Sequence, residues 1–600
     1  MNDMKRFLLA IVVALSAATI VAAEERRHDC CCCPCDCTNS CCCCPDSSRD
    51  CCGCTHFTNK TIFIDRVGWF QSGTYLHESL FSNKRMSWRQ PEDECCPWGT
   101  AIQIVPFGGR MSGSGTNRLG EYLGYNHKST GLVVTNQVVA ASGGILADDA
   151  HFDAEHFNIE IADQGAFTST IGFCPKQSFG GCGLSWKQAL WRHEDDTIRF
   201  WGELSAPVVH VSNRTCFTED LDGATYTAAT GNGLDDSPFV ASMASALTQS
   251  KWKAGKFCDI CTTTNDTTCC STSCCSSSCC SSSCCNPCCC SSDCCNSCCS
   301  TNCCGNCCNC MKVTRLTDLE LKFGYNFVMS DCCWMDGYVG VVFPTGNAPT
   351  SCCVFEALAG SKHWGIMWGS NINYTIWNWD CGTFETRFDI DARYLFGKCE
   401  TRLFDLVGKP WSRYMAMFQS AEAAQAAITA ENVYAGTSGV NIMARCVDVR
   451  PGCQLNINTG FVYNGECFLG ELGLTCYARQ AERICPNWYA DADQPALKAH
   501  QLTGNDVLTR ARTIRDRFTG SNATYSTENY NRYKIKSTDV DWMSAEHPGM
   551  LHTSFYGSLG YQWGGWCYPT FLSVGAAYDV SCSNTGMRRW TLFGKLGVSF

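Results

Sequence analysis

The stretch that most constrains the fold is the final one, residues 590–600, with the sequence WTLFGKLGVSF. Every second residue from Trp590 to Phe600 is apolar or glycine, whereas the residues between them are mostly small or polar. Period two is typical of a β-strand, because successive side chains point to opposite faces of a sheet. A tilted strand of about 9–11 residues crosses a bilayer, and aromatics at both ends of its apolar face suit the two interfaces. An edge strand of a soluble sandwich explains this stretch, taken alone, equally well.

The same alternation recurs after residue 318, and it favours a membrane barrel over a soluble sandwich. Residues 319–327, 364–376 and 384–396 alternate over more than the about 5–6 residues of a common soluble strand. A series of lipid-facing strands has to close, because lipid cannot satisfy the backbone groups of an open edge. We therefore predict an all-β fold, a transmembrane antiparallel β-barrel of roughly 14–18 strands with cysteine-rich low-complexity segments. Short links with turn chemistry are expected at Pro451-Gly452, Asn464-Gly465 and Gly564-Gly565.

Counting strands back from the C-terminus tests this arrangement, because consecutive antiparallel strands end on alternate sides. With Phe600 on the periplasmic side, residues 564–567 form a short inner turn and residues 480–550 a long outer loop, the expected asymmetry. The helix-like residues 420–433 then fall on the inner side, where a long link is unexpected. Either the count omits a strand between residues 480 and 550, with residues 533–542 as the candidate, or one outer turn is very short.

The first residues predict export. Lys5 and Arg6 precede an apolar run over residues 7–20, and Val21-Ala22-Ala23 is a small-residue cleavage pattern. An exported chain reaches an oxidising compartment. The expected organisation is a signal peptide (1–23), a cysteine-rich N-terminal segment (24–56), the first part of the barrel with loops (57–257), a Cys/Ser-rich insertion (258–310), and the second part of the barrel with the closing strand (311–600).

The 53 cysteines need a physical explanation. Adjacent cysteines match each other poorly, because consecutive Cα atoms lie about 3.8 Å apart and disulfides need about 4.4–6.8 Å. Each is expected to pair elsewhere in its block or in another chain, and an odd total leaves at least one free or bonded between molecules. Thiolate binding of zinc or copper(I) is the competing interpretation, but adjacent pairs outnumber spacings like that of Cys258 and Cys261. The predicted cross-linking cysteines are Cys269, Cys270, Cys274, Cys275, Cys279, Cys280, Cys284 and Cys285.

The features together resemble a known class of protein. A terminal amphipathic strand that ends on an aromatic residue resembles the assembly signal of Gram-negative outer-membrane β-barrels. With the export signal and abundant cysteine, the architecture resembles the chlamydial-type cysteine-rich major outer-membrane porins, best over the C-terminal third. The resemblance implies a location in the outer membrane of a Gram-negative-type bacterium and a disulfide-linked envelope network. The cysteine blocks are denser here than in that family, so no cysteine pairing is carried over.

Charged side chains on the polar faces of the predicted strands would face the lumen. Rings of fixed charge tune which solutes a pore accepts, although simple hydration of a water-filled lumen is an alternative role for each residue. The pore-lining candidates are Glu320, Lys322, Glu385, Arg387, Asp389, Asp391, Arg393, Glu471 and Lys595. Trp590 and Phe600 mark the barrel-closing strand.

Other function classes find little support. A formal net charge of −11 leaves no basic field for nucleic acid. His151 and His156 fall on opposite faces of a strand and do not form a helical metal motif. There is no nucleophile elbow, P-loop or dinucleotide fingerprint, so we expect no enzyme, no cofactor and no metal.

We therefore expect an outer-membrane porin for passive diffusion of small hydrophilic solutes, surrounded by outer-membrane lipid and cross-linked by disulfides into the cell envelope. Disulfide-linked envelope proteins or other copies of the chain, as in a trimer, are the expected partners. The alternative is a structural or adhesive cysteine-rich outer-membrane protein without an open pore.

Overall fold

The structure is a computed structural model. It describes residues 65–68, 99–113, 132–136, 150–192, 198–249, 251–258, 260, 310–330, 332–407, 411–429, 436–490, 493–497, 534–563, 568–581 and 585–599. The predicted signal peptide, the segment 24–56, the cross-linking cysteines from Cys269 to Cys285 and Phe600 lie outside these residues. None of the helices within these ranges is both long and apolar enough to cross a bilayer.

Twelve strands of the described chain form one closed antiparallel barrel. Each strand pairs with the next along the chain, and the last strand pairs with the first, with Ala101 opposite Ser599. The predicted barrel is therefore confirmed, with fewer strands than the roughly 14–18 expected. The barrel strands are β1 (Thr100–Met111), β2 (Lys176–Arg192), β3 (Ile198–Arg214), β4 (Leu319–Met329), β5 (Cys333–Phe343), β6 (Gly365–Trp379), β7 (Gly382–Leu395), β8 (Gly452–Gly465), β9 (Phe468–Arg479), β10 (Met550–Trp563), β11 (Thr570–Ser581) and β12 (Arg589–Ser599).

Period-two alternation separates the two faces of every strand, as β12 illustrates. Leu592 and Leu596 face outward and are exposed, whereas Thr591 and Lys595 face inward and are buried. Trp590 lies on the outward face, with the Arg110 guanidinium of β1 5.1 Å from its ring centroid. The exterior of the barrel is thus apolar and its interior largely polar, the reverse of a water-soluble barrel.

The two ends of the barrel differ in the length of their connections. Short connections join the strands at the end where β12 finishes, and they comprise residues 193–197, 330–332, 380–381, 466–467 and 564–569. Five long connections leave the other end, and they comprise residues 112–175, 215–318, 344–364, 396–451 and 480–549. The short connection 582–588, between β11 and β12, lies at this end too. We call the described residues of these five long connections the cap.

The strand count placed residues 420–433 on the inner side because it treated Pro451-Gly452 as a turn between two barrel strands. Pro451-Gly452 does not join two barrel strands; it leads from the cap strand Ala444–Arg450 into β8. The helix Ala421–Thr429 therefore lies at the cap end together with residues 480–549, and every long connection leaves the barrel at that end. Residues 533–542 contribute only the short cap strand Val540–Asp541, not a barrel strand.

The cap contains small sheets and short helices with a core of their own. Strand-like patterns in the sequence that belong to these sheets account for the overestimated strand number. The cap sheets are Ala150–Asp153 with Leu132–Thr135, Thr168–Gly172 and Thr218–Asp220; Lys398–Leu403 with Ala444–Arg450 and Arg483–Cys485; Ala416–Phe418 with Thr437–Ser438 and Ala496–Leu497; and Asp405–Leu406 with Val540–Asp541. Lys312–Leu316 adds to β3, and the helices are α1 (Met243–Leu247), α2 (Ala421–Thr429) and α3 (Val440–Met443).

One hydrophobic core holds the long connections together. Phe173 stacks on Phe257 and on Trp411, with ring centroids 5.3 and 5.5 Å apart, and these rings come from three different connections. Every long connection contributes to this core, for example through Phe157, Trp252, Phe355, Tyr414 and Val540. Shared burial of large aromatics makes the cap a packed layer over one end of the barrel, not a set of independent loops.

Gly324 packs closely against the indole of Trp201 inside the barrel, and this packing can be tested. A Cβ at Gly324 of β4 would overlap the indole of Trp201, which is buried against Lys187. We expect Gly324→Ala to lower the free energy of unfolding by about 1–3 kcal/mol, because the packed indole has to move. Gly470→Ala is the matched control, since its Cβ would meet only ordinary contacts of 3.7–3.9 Å. Urea unfolding of the refolded protein, followed by tryptophan fluorescence, measures both; equal effects would contradict this packing.

Candidate functional site

The lumen contains all nine pore-lining candidates. Each lies on a barrel strand with its side chain inward, and none is more than 8% exposed. Such low exposure means that the side chains fill the lumen at their own level, so they do not line a water-filled passage in this conformation. Their role in solute selectivity stays a prediction.

Ion pairs connect charged residues across the lumen. Lys595 Nζ of β12 lies 3.0 Å from Glu471 Oε2 of β9, three strands away. On the cap side, Arg393 Nη2 of β7 lies 2.7 Å from Glu320 Oε1 of β4, again three strands away. These distances bring together four of the predicted residues and indicate that charge is largely balanced inside the barrel.

Aromatic side chains also occupy the lumen, a position that the alternation of polar and apolar residues does not predict for them. Phe107, Phe179, Tyr556 and Phe593 form one buried cluster with inward valines and alanines. The Tyr556 hydroxyl donates to Asn458 Oδ1 at 3.0 Å, which anchors the ring on the neighbouring polar residues. The signal was present in β12, because Phe593 interrupts an otherwise small and polar inward face.

A segment from before the barrel enters the lumen at its cap end. Residues 65–68 pair through Arg66 and Val67 with Leu358–Ala359, in parallel orientation. Val67 joins the lumenal aromatic cluster, and Asp65 Oδ2 lies 3.6 Å from Arg589 Nη1 at the start of β12. This segment therefore lies inside the lumen where the barrel meets the cap.

Arg66 fixes that segment through buried ion pairs with the cap. Its Nη2 atom lies 2.8 Å from Glu400 Oε2 and 3.5 Å from Glu482 Oε1, and its Nη1 donates to the Ser361 carbonyl. Arg402 Nη2 approaches the same two carboxylates at 2.7 and 2.9 Å. His363 Nε2 lies 3.0 Å from Glu400 Oε1. We call Arg66, His363, Glu400, Arg402 and Glu482 the Arg66 network.

The charges in this network set its response to pH. Burial alone would raise the pKa of both carboxyls, but the guanidinium groups of Arg66 and Arg402 outweigh it. The pKa of Glu400 therefore lies well below its usual range, and that of Glu482 falls to about 2. Both carboxylates stay ionised near neutral pH, so the contact between segment 65–68 and the cap is charged.

Three cysteines form the one group in the described chain that could hold a metal ion. The Sγ atoms of Cys258, Cys310 and Cys353 lie within 4.8 Å of one another. Cys310 and Cys353 are joined as a disulfide, and Cys258 Sγ lies 3.4 Å from Cys310 Sγ. A disulfide sulfur is not a thiolate ligand, so a soft metal would bind here only after reduction. Cys258 and Cys310 begin and end the predicted insertion, whose two ends therefore meet in the cap.

His156, which the sequence raised as a possible metal ligand, makes a structural contact within the cap. His156 is buried in the cap, and its Nδ1 atom accepts a hydrogen bond from the Ala416 amide at 3.2 Å. This contact joins the first long connection to the fourth.

Comparisons with known proteins add little to these observations. No family model matches the sequence, and no curated protein matches it. Among solved structures, the chain is similar to the COG4313 outer membrane channel from Pseudomonas putida F1, with 9% identity and a TM-score of 0.34, over 85% of this chain and 99% of that one. It is also similar to a Pseudomonas aeruginosa FadL homologue, with 6% identity and a TM-score of 0.22, over 83% and 89%. These TM-scores are low, so the barrel is assigned from its strand pairing, and the resemblance to chlamydial-type porins stays a prediction.

Acidification is expected to weaken the Arg66 network. Glu482 has a folded pKa of about 2 against an ordinary value of 4.5, so it stabilises the fold above pH 4.5. That stabilisation, on the order of 3 kcal/mol, should be lost as the pH falls from about 4.5 towards 2. Thermal unfolding of the refolded protein across this range measures it. Glu482→Gln should be less stable at pH 7 and show a flatter acid profile.

Glu466→Gln is the control for this prediction, because Glu466 is an exposed carboxylate in a short connection at the opposite end of the barrel from the Arg66 network. It should reproduce the wild-type acid profile. An unchanged profile in Glu482→Gln would contradict the assignment of the acid response to the Arg66 network.

Proposed function

We propose that this chain is an outer-membrane β-barrel channel for small hydrophilic solutes, held closed in the described conformation by residues 65–68 and the lumenal ion pairs. The observation that carries the proposal is a closed barrel with an apolar exterior and charged residues throughout its interior. The proposal retains the porin expected from the sequence and adds a closed state.

The exterior supports a location in the bilayer. Large apolar side chains are exposed on outward faces around the barrel, among them Leu184, Phe323, Val339, Ile366, Leu472, Phe555, Val574 and Leu592. Contiguous apolar surface of this extent would drive aggregation in water, whereas lipid accommodates it. The short connections would face the periplasm and the cap the outside, which follows the usual asymmetry of outer-membrane barrels.

The buried charges of the interior favour a channel that can open, rather than a barrel that stays filled. A buried ion pair has to offset the desolvation of both charges, and apolar filling of similar volume is often at least as stable. A barrel that never opens would therefore gain little stability from the buried pairs Lys595–Glu471 and Arg393–Glu320. The same residues suit a lumen that admits water and solute when residues 65–68 move away.

Cross-linking into the envelope is the second part of the proposal. Cys332, Cys381 and Cys467 lie in or beside three of the five short connections. Cys332, Cys381 and Cys467 are also exposed, so their thiols are accessible to other molecules at the end that would face the periplasm. A structural protein without an open pore would use the same thiols, so conductance decides between the two functions.

Conductance in planar bilayers tests the channel. The refolded full chain is expected to give single-channel steps of low open probability. Arg66→Gln removes the charge that holds residues 65–68 against Glu400 and Glu482, so it should raise the open probability by at least about tenfold. Arg450→Gln is the control, because Arg450 is an exposed cap residue. If neither wild type nor Arg66→Gln gives steps, the structural alternative is preferred.

Gel migration of native envelopes tests the cross-links. Without reductant the wild-type chain should migrate largely as higher species, and with reductant as a monomer. The triple substitution Cys332→Ser, Cys381→Ser and Cys467→Ser should shift material to the monomer without reductant, whereas Cys174→Ser, an exposed cysteine in the cap, should not. A wild-type monomer under both conditions would contradict cross-linking.

A further inference from the structure

A small cavity lies where the lumen meets the cap. It has a volume of about 30 Å³ and is lined in part by Arg66, Asp318, Glu320, Arg393, Tyr477 and Arg479. A water molecule needs roughly 10–15 Å³ of such space, so the cavity has room for an ion or a group of a few heavy atoms. Three of these six side chains are arginines, so the ligand expected here is an anion.

Arg479, the last residue of β9, is the exceptional member of this lining. Its side chain is only 6% exposed, and its Nε and Nη2 atoms make no hydrogen bond within the described part of the chain. A buried guanidinium without an acceptor is costly, because the desolvated charge and its donors have lost their water. An anion in the adjoining cavity would supply the missing acceptor.

The carboxylates nearest this cavity are engaged elsewhere. Glu320 pairs with Arg393 at 2.7 Å. Asp318 accepts hydrogen bonds from the amides of Ser361 and Lys362 at 2.7 and 3.2 Å.

Glu482 lies three residues beyond Arg479 in sequence but is also committed to other partners. It pairs with Arg402 at 2.9 Å and with Arg66 at 3.5 Å. Burial lowers the pKa of His547 well below its usual range, and the charge of Arg479 adds to that shift, so this imidazole is neutral near pH 7. The positive charge of Arg479 is therefore not offset by these neighbouring groups.

We propose that the cavity beside Arg479 binds a small oxyanion, a carboxylate or phosphate group, at the cap end of the lumen. A guanidinium presents planar paired donors that match such groups, which a lysine would not. The inference rests on the proposed channel function for its meaning: the site would make anionic solutes the class that the channel admits. A free anion and the anionic group of a larger solute share this chemistry.

Calorimetric titration of the refolded full chain with sodium acetate and with sodium phosphate tests binding without requiring conductance. Wild type should bind at least one of these anions, and Arg479→Gln should weaken that binding by about tenfold or more. Arg479→Lys should recover part of the loss through its charge. Arg450→Gln, at the exposed Arg450, should bind as wild type does. No wild-type binding, or equal binding in Arg479→Gln, would overturn the proposal.

Anomalous scattering from crystals soaked in sodium bromide locates the anion. A peak beside Arg479 in wild type that is absent from Arg479→Gln supports the site. Peaks of equal height at exposed arginines such as Arg450 would mean an adventitious ion only, and would overturn it. Comparison of bound acetate with a larger monocarboxylate such as gluconate separates the two sources of the anion, since a site restricted to small free anions would bind acetate and not gluconate.

The outcomes separate this inference from the channel itself. Loss of anion binding with single-channel steps intact would remove the anion site and leave the channel. In a salt gradient, the reversal potential of Arg479→Gln should shift towards cation preference relative to wild type, because one positive charge leaves the lumen mouth. An unchanged reversal potential would count against a solute-selecting role for Arg479.

Discussion

Closure of a single antiparallel sheet is the constraint on which the rest of the molecule depends. The pairing of β12 with β1 removes the last open edge, so every barrel strand has hydrogen-bonded neighbours on both sides. Once the sheet is closed, its two faces meet different surroundings, and period-two alternation becomes a separation of apolar exterior from polar interior. The lumenal charges, the inserted segment 65–68 and the cap all follow from the existence of that enclosed interior. Without the final pairing, none of these contacts would have a defined place.

Charge inside the barrel is organised in two layers that are held differently. Deep in the lumen, Lys595 and Glu471 belong to strands, so their separation is fixed by the barrel itself. At the cap end, Arg66 comes from a short segment outside the barrel and pairs with Glu400 and Glu482 from two separate connections. A contact made by three separate parts of the chain can be broken without breaking the barrel. The Arg66 network is therefore the part of the lumenal charge whose contacts do not depend on strand pairing.

The sequence alone was sufficient to predict those parts of the fold that depend on the period-two alternation of side chains. The terminal strand, the inward position of residues such as Glu385 and Lys595, and the closed barrel all follow from alternation. The strand number did not, because cap strands such as Ala444–Arg450 show the same local pattern and only tertiary pairing distinguishes them. The Arg66 network was invisible, since Arg66 and Glu400 are 334 residues apart and neither lies in a repeating pattern. Arg479 was likewise hidden, because a strand-end arginine is normally a solvated one, and its burial depends on the cap above it.

Two sets of the described cysteines lie at opposite ends of the molecule, and their positions limit what each set can do. Cys258 and Cys310 meet in the cap, so the two ends of the insertion between them lie at one point of the cap core. The disulfide from Cys310 to Cys353 ties that point to the connection between β5 and β6, which also carries the Leu358–Ala359 pair for segment 65–68. At the opposite end, Cys381 and Cys467 project from connections of two residues each, residues 380–381 and 466–467, which are too short to reach the cap. Covalent links made by the two sets would therefore form at opposite ends of the barrel, and those at the cap end are the ones near segment 65–68.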